Sequence, residues 1–130
     1  MVLRGGILVC WCGSIFRGSL ITSNNFALCL KFTSRHNSKS WFLASIYGPC
    51  RGHERVYFVD WLKSFQIQHD EAWIFLGDFN FYRYVENRNK PGADMNNIFI
   101  FNNIISSLRL IENLLKGEVL LGVICKVITS

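Results

Sequence analysis

Apolar and polar positions alternate in short runs through the first part of the chain, which predicts a β-rich, antiparallel start. The runs "GGILVCW" and "SIFRGSLIT" predict a first hairpin-like pair of strands, joined at Gly13-Ser14. Residues 26–34, "FALCLKFTS", alternate as a half-buried strand does. The polar loop 35–40 and the return strand 41–48, "WFLASIYG", complete a second hairpin.

Farther along, apolar positions recur every three or four residues, as in amphipathic helices. One helix is predicted from about residue 53 to 66. Its apolar stripe consists of Val56, Val59 and Leu62, accompanied by Phe58 and Phe65. The continuous apolar run at 73–77, "WIFLG", is typical of a central strand covered on both faces.

The stretch 81–94 contains Pro91-Gly92 and many polar residues, so it is predicted to be an extended loop. Asp94 is the predicted N-cap of a second helix. That helix is marked by Ile98, Phe101, Ile105 and Leu108. "RLIENLL" adds one more short strand, and the whole order predicts an α/β layered domain with a mixed sheet.

The composition is that of one globular domain. Half of the 130 residues are hydrophobic, 15% are aromatic and 18% are charged, which excludes a disordered segment. The 14 Lys and Arg exceed the 9 Asp and Glu, giving a net charge of +5 that favours polyanionic partners such as nucleic acid. The basic residues are spread along the chain, which equally fits an ordinary solvated surface.

The five cysteines form no CxxC pair and no Cys/His zinc spacing, so reduced core residues are expected. The cysteines are Cys10, Cys12, Cys29, Cys50 and Cys125. Neither the first residues nor the tail "EVLLGVICKVITS" has an apolar run long enough for a signal peptide or a membrane span. We therefore expect an intracellular protein without a membrane partner.

Two polar residues directly follow the apolar run 73–77. Asp78 and Asn80 would lie at the carboxyl end of that strand, where ligands collect in open α/β sheets. Asp78 is a hard oxygen ligand suited to Mg²⁺, and Asn80 can hold a phosphate oxygen. Taken alone, an Asp-x-Asn after a strand is more often a turn device.

A second strand end supplies the context. "SIYGPCRG", residues 45–52, also ends in polar groups, where Tyr47 could hydrogen-bond a phosphate and Arg51 could pair with it. Each has an ordinary alternative: an interfacial aromatic for Tyr47 and a solvated loop charge for Arg51.

Together, "SIYGPC" and "WIFLGDFNFYRYVENRNKPGADMNNIFIFNNIISSLRLIENLLKG" resemble the middle of the endonuclease/exonuclease/phosphatase superfamily, which has the deoxyribonuclease I-like fold. The stretch is most similar to the endonuclease domain of plant LINE-type (non-LTR) retrotransposons, over roughly residues 5–117. The resemblance implies a partial domain at 1–117, truncated at both ends, with a divergent apolar tail at 118–130.

The resemblance further implies a two-sheet sandwich flanked by helices that hydrolyses DNA phosphodiesters with Mg²⁺. By position, Tyr47 matches the tyrosine that approaches the scissile phosphate. Asp78 matches the aspartate that orients or activates the water, and Asn80 the asparagine that stabilises the transition state. DNA would be the partner and the nucleus a plausible compartment. DNA backbone contacts would fall on the loop after the site, at Arg83, Arg88 and Lys90, and on Arg51.

Several parts of the family pattern have no match here. Cys50 stands where many members have asparagine. No glutamate precedes Glu54 to act as the principal metal ligand, and no Ser-Asp-His follows Gly117. His36, His53 and His69 lie far from where a catalytic imidazole is expected. Because catalytic groups act as a unit, impaired hydrolysis is expected.

Two other functions stay open. The chain could be a non-catalytic, basic nucleic-acid-binding remnant or an inert relic. It could also be another phosphoesterase of the same superfamily, although the "RNKPG" segment favours the retroelement branch.

Overall fold

The computed structural model describes residues 1–49, 52–68, 70–80, 95–112 and 124–126. The fold is a mixed α/β arrangement of a small two-stranded sheet, a larger six-stranded sheet and two helices.

The small sheet is a hairpin at the start of the chain. It pairs β1 (Val2–Arg4) with β2 (Ile7–Val9) in antiparallel register, with Arg4 opposite Ile7. The turn is Gly5-Gly6, and Gly5 has a φ of 57°, which glycine adopts without steric cost. The predicted hairpin of "GGILVCW" with "SIFRGSLIT" is therefore wrong, because the glycine pair closes a tighter hairpin with the residues before it.

The large sheet contains the long strands. They are β3 (Phe16–Ser23), β4 (Ala27–Ser34), β5 (Ser40–Tyr47), β6 (Trp73–Asp78), β7 (Ile111–Glu112) and β8 (Ile124–Lys126). Their order is β3-β4-β5-β6-β8-β7. β5 and β6 are parallel and every other neighbouring pair is antiparallel, so the predicted mixed sheet is confirmed. The sequence predicted a short strand near β7 but no element in the tail, where β8 inserts beside β6.

Turns closed by hydrogen bonds connect β3 to β4 and β4 to β5. Between β3 and β4, the Oδ1 atom of Asn24 accepts hydrogen bonds from the backbone nitrogens of Phe26, at 2.8 Å, and Ala27, at 2.9 Å. Between β4 and β5, the Ser34 nitrogen donates to the Lys39 carbonyl at 2.8 Å, which closes the predicted polar loop. These turns leave the apolar alternation of the strands intact.

The two helices are α1 (Glu54–Ser64) and α2 (Met95–Ser107). In α1, Phe58 and Leu62 are buried, while Val56 is 61% exposed. The predicted stripe was therefore wrong at Val56, because the buried face of α1 is centred on the larger aromatic and leucine side chains. In α2, Phe101 and Ile105 are buried, as predicted, and Ile104 is buried as well. Leu108, which directly follows the helix, is also buried, as predicted. The predicted N-cap Asp94 lies outside the described residues.

The main hydrophobic cluster lies between the helices and one face of the large sheet. Its buried members are Ala27, Cys29, Ala44, Ile46, Phe58, Leu62, Trp73, Phe75, Phe79, Phe101, Ile104, Ile105, Leu108 and Leu110. Aromatic contacts are frequent in it; Phe42 and Trp73 stack with ring centroids 4.8 Å apart across β5 and β6. This packing fixes the position of the β5–β6 pair relative to α1.

The opposite sheet face carries a second cluster, covered by the β1–β2 hairpin. It consists of Ile7, Val9, Leu28, Leu30, Phe32 and Leu43. The prediction of a half-buried strand at 26–34 is wrong, because the β1–β2 hairpin covers its second face. β4 is buried on both faces by the two clusters. β6 is not, because Leu76, on this second face, is 38% exposed. The prediction that β6 is covered on both faces is thus wrong at its carboxyl end, where the face is open.

The cysteines divide between core and surface. Cys29 is buried, as predicted, but Cys10 and Cys12 are exposed, because they lie in the connection after β2 where the chain leaves the small sheet. The side chains of Cys50 and Cys125 lie outside what the structure describes. Within the described ranges, neither helix has the length and apolar character needed to cross a membrane.

Candidate phosphate-binding site at two strand ends

Two of the predicted site residues lie opposite each other on neighbouring parallel strands. The register of β5 and β6 pairs Tyr47 with Asp78, the last residue of each strand. Parallel neighbours lie about 4.8 Å apart, and paired residues project to the same sheet face. The backbone register therefore agrees with the prediction that both strands end in polar residues at the same edge of the sheet.

Backbone hydrogen bonds hold the two strand ends in this register. The Tyr47 nitrogen donates to the Phe26 carbonyl at 2.7 Å, which ties β5 to the entry of β4. The Gly48 nitrogen donates to the Asp78 carbonyl at 2.6 Å, which continues the parallel ladder by one residue beyond β5. The site thus begins where the regular ladder stops.

Two glycines allow the close approach of these segments. Gly77 has a φ of 123°, a conformation essentially restricted to glycine, and a Cβ there would overlap the Ile46 carbonyl oxygen. A Cβ on Gly48 would overlap the Phe79 carbonyl oxygen and lie 3.0 Å from a ring carbon of Phe58. The expectation that Gly77 permits close approach to its backbone is confirmed, and the group that approaches is the neighbouring strand.

Asn80 forms hydrogen bonds with residues at both strand ends. Its backbone has a φ of 55°, a left-handed conformation that asparagine tolerates better than most residues. Its backbone nitrogen donates to Oδ1 of Asp78 at 2.9 Å, and its side-chain Nδ2 donates to the Gly48 carbonyl. An amide nitrogen has two hydrogens, so the bond to Gly48 leaves one for an external acceptor. Asn80 can therefore stabilise the turn and still have a hydrogen to donate to a ligand.

A residue that sequence reasoning missed reaches the same point from α1. Nη2 of Arg55 donates to the Asn80 carbonyl at 3.1 Å in a partly buried contact. The one signal in the sequence was the position of Arg55 in the first turn of a helix, where a cation opposes the helix dipole. Gly48 was also missed as an acceptor, because its role depends on its carbonyl group.

The polar groups are open to solvent. Tyr47 is 54% exposed and Asp78 is exposed, while Asn80 and Arg55 are partly exposed. Asp78 and Arg55 place a negative and a positive charge beside the same turn. The two strand ends carry a hydroxyl, an amide and a carboxylate, which are groups that can bind a phosphate and a water.

The other predicted site residues cannot be placed. Arg51, Arg83, Arg88 and Lys90 lie outside the described residues. Of the histidines, His36 and His53 are exposed and His69 lies outside the described residues.

The sequence matches no protein-family model and no curated protein. The resemblance of the sequence to a known superfamily therefore supports a proposed function only.

Proposed function

We propose that the ends of β5 and β6 form a phosphodiester-binding site of the deoxyribonuclease I-like type, similar to that of retroelement DNA endonucleases and impaired in hydrolysis. The observation that carries this proposal is the pairing of Tyr47 with Asp78 across parallel strands. The side-chain amide of Asn80 is hydrogen-bonded to the Gly48 carbonyl at the same strand ends. A turn device alone would need Asp78 and Asn80, but it would not need a tyrosine beside them.

Each polar group has a chemical role in this proposal. The Tyr47 hydroxyl donates to a non-bridging phosphate oxygen, and the remaining amide hydrogen of Asn80 donates to a second one. One carboxylate oxygen of Asp78 is occupied by the Asn80 nitrogen. The other is the proposed acceptor of a proton from a water that attacks phosphorus, while the bond from phosphorus to one sugar oxygen breaks and that oxygen takes up a proton from solvent. Charge that develops on the phosphate would be stabilised by hydrogen bonds from these donors.

The described residues do not make a complete magnesium site. They contain no group of three or more His, Cys, Asp or Glu side chains that could hold a metal ion. Mg²⁺ is commonly bound by one or two carboxylates, substrate phosphates and retained water, and Asp78 provides one carboxylate. This donor set does not fix a magnesium ion by itself. Slow hydrolysis by this chain on its own is part of the proposal, because catalytic groups act as a unit.

Binding can be tested with a thymidine dinucleotide, which contains a single phosphodiester, followed by heteronuclear NMR. Chemical-shift changes are expected at residues 47–48 and 78–80. Tyr47→Phe should weaken binding about tenfold, as expected for losing a hydrogen bond to a charged group. The matched control is Tyr57→Phe, because Tyr57 is 66% exposed on α1 and is not one of the residues at the strand ends, so its substitution should not change the affinity. Equal effects of both substitutions, or shifts elsewhere on the protein, would contradict the proposal.

Hydrolysis is tested by plasmid nicking with and without Mg²⁺. Wild type is expected to nick barely above background. Nicking that disappears in Asp78→Ala and persists in Asp60→Ala would show a competent nuclease and overturn the impairment. Asp60 is the matched control because it is an exposed carboxylate on α1.

The alternatives give different results in the same experiments. Salt-sensitive DNA binding that Tyr47→Phe leaves unchanged favours a non-specific basic binder. Turnover of phosphate monoesters or lipid headgroup esters in place of DNA favours another phosphoesterase.

A further inference from the structure

Arg55 links the helix layer to the turn that carries Asn80. Its Nη2 donates to the Asn80 carbonyl at 3.1 Å, across 25 positions of sequence. The donor is a guanidinium, so this is a charge-assisted hydrogen bond. The contact is partly buried, which screens it less than a surface ion pair.

The position of Arg55 in the helix is unfavourable for helix stability alone. It is the second residue of α1, after Glu54, and a positive charge in the first turn opposes the helix dipole. An acidic residue there, such as Glu54 itself, is the favourable choice. A contact outside the helix is therefore the physical reason for a cation at this position.

The three groups that hold Asn80 come from different parts of the fold. Asp78 holds its backbone nitrogen, Gly48 holds its side chain, and Arg55 holds its carbonyl. The first two fix Asn80 relative to the strand ends. The third fixes it relative to α1, and α1 is anchored through the buried Phe58.

We infer that Arg55 is a positioning residue, which keeps the Asn80 turn in its left-handed conformation and its amide group on the Gly48 carbonyl. This inference rests on the proposed function, because positioning matters only if Asn80 contacts a phosphodiester. Arg55 acts through Asn80 and need not touch the ligand.

The test compares Arg55→Met and Arg55→Lys with Arg35→Met in the full chain. Arg35 is a matched control because its Nε also donates to a backbone carbonyl, that of Gly13, at 2.7 Å. The first readout needs no ligand: hydrogen exchange of the Asn80 backbone amide and the NMR shifts of its side-chain NH₂. Arg55→Met should accelerate that exchange about tenfold and shift the NH₂ signals, since a charged donor is lost.

The variant with lysine separates charge from geometry and protects the test against a folding failure. A lysine keeps the charge but lacks the planar donor fork, so it should restore only part of the exchange protection. Arg35→Met should leave both Asn80 readouts unchanged. If Arg55→Met and Arg35→Met affect Asn80 alike, or neither affects it, the inference is wrong.

The second readout is the affinity for the thymidine dinucleotide, which should fall about threefold to tenfold in Arg55→Met. Altered Asn80 exchange with unchanged affinity would refute positioning for binding while leaving the bracing contact intact. If wild type does not bind the dinucleotide at all, the proposed function fails on its own evidence. If wild type binds and Asn80 is insensitive to Arg55, only the positioning role fails.

Discussion

Replacing Gly77 by alanine should disrupt the fold at the candidate site more than any surface change. Gly77 has a φ of 123°, and an added Cβ would overlap the Ile46 carbonyl oxygen on β5. It would also lie 3.0 Å from the carbonyl carbon and from the nitrogen of Ile46. These are backbone atoms of the paired strand near the end of the β5–β6 ladder, so they cannot move aside as a flexible side chain does.

The cost has two parts. Holding an alanine at a glycine-only backbone conformation costs about 1–3 kcal/mol. Moving β6 away from β5 to relieve the overlap breaks at least the next ladder bond, from the Gly48 nitrogen to the Asp78 carbonyl, at about 1 kcal/mol. Alanine stabilises by about 0.4–1 kcal/mol through the unfolded chain, which offsets only part of this. The net loss of about 1–3.5 kcal/mol, with a midpoint of about 2 kcal/mol, is a large fraction of the 5–15 kcal/mol typical of a domain.

Urea unfolding followed by circular dichroism measures this loss. With an m-value of about 1–3 kcal/mol per molar, the midpoint should fall by about 1 M or more. Gly13→Ala is the matched control, since no atom lies within 4 Å of the Cβ it would add. It should stay within about 1 kcal/mol of wild type. If Gly77→Ala were as stable as Gly13→Ala, the close parallel pairing at the site would be refuted.

Three further substitutions test the turns and the core. Gly48→Ala should destabilise by about 2 kcal/mol or more in the same unfolding assay, because its Cβ would overlap the Phe79 carbonyl. Asn24→Ala should cost about 1–2 kcal/mol, as it leaves two backbone nitrogens of the β3–β4 turn without their acceptor. Burial raises the pKa of the Cys29 thiol from 9.0 to about 12, so its stabilising effect is complete below pH 9 and is lost as pH rises towards 12. Cys29→Val should therefore lose less stability than wild type between about pH 8 and about pH 10.5.

Periodic apolar patterns predicted where the long elements lie, although β4 is buried on both faces and not on one. The strand predicted at 26–34 is observed as Ala27–Ser34, and the helix predicted from about 53 to 66 as Glu54–Ser64. Both have several large side chains at the expected spacing, so tertiary packing and local pattern agree.

Short elements and pairings were less predictable. The Gly5-Gly6 turn was present in the sequence but was interpreted as part of a strand, which misassigned the first hairpin. β8 has only three residues, too few for a periodic pattern, and its place between β6 and β7 depends on tertiary contacts. The exposure of Cys10 and Cys12 likewise depends on where the chain leaves the small sheet.

The candidate site divides in the same way. Tyr47, Asp78 and Asn80 were identified from the sequence because polar groups at the ends of apolar strands are a local signal. The carbonyl of Gly48 and the guanidinium of Arg55 were not, because their contacts with Asn80 join distant parts of the chain. The local pattern identified polar residues at strand ends, and the structure identified the groups that contact Asn80.

The turn of the candidate site is tied to the hydrophobic core. Phe79, the middle residue of the turn, is 1% exposed and packs in the main cluster. Hydrogen bonds to Asp78, Gly48 and Arg55 also hold the turn, and such bonds contribute about 1 kcal/mol each. Because opening the turn would also expose Phe79, it should require a free energy close to that of opening the core. Ligand binding and the circular dichroism of the sheet should accordingly be lost over the same range of urea concentration, and loss of binding at a lower concentration would show that the site opens separately from the core.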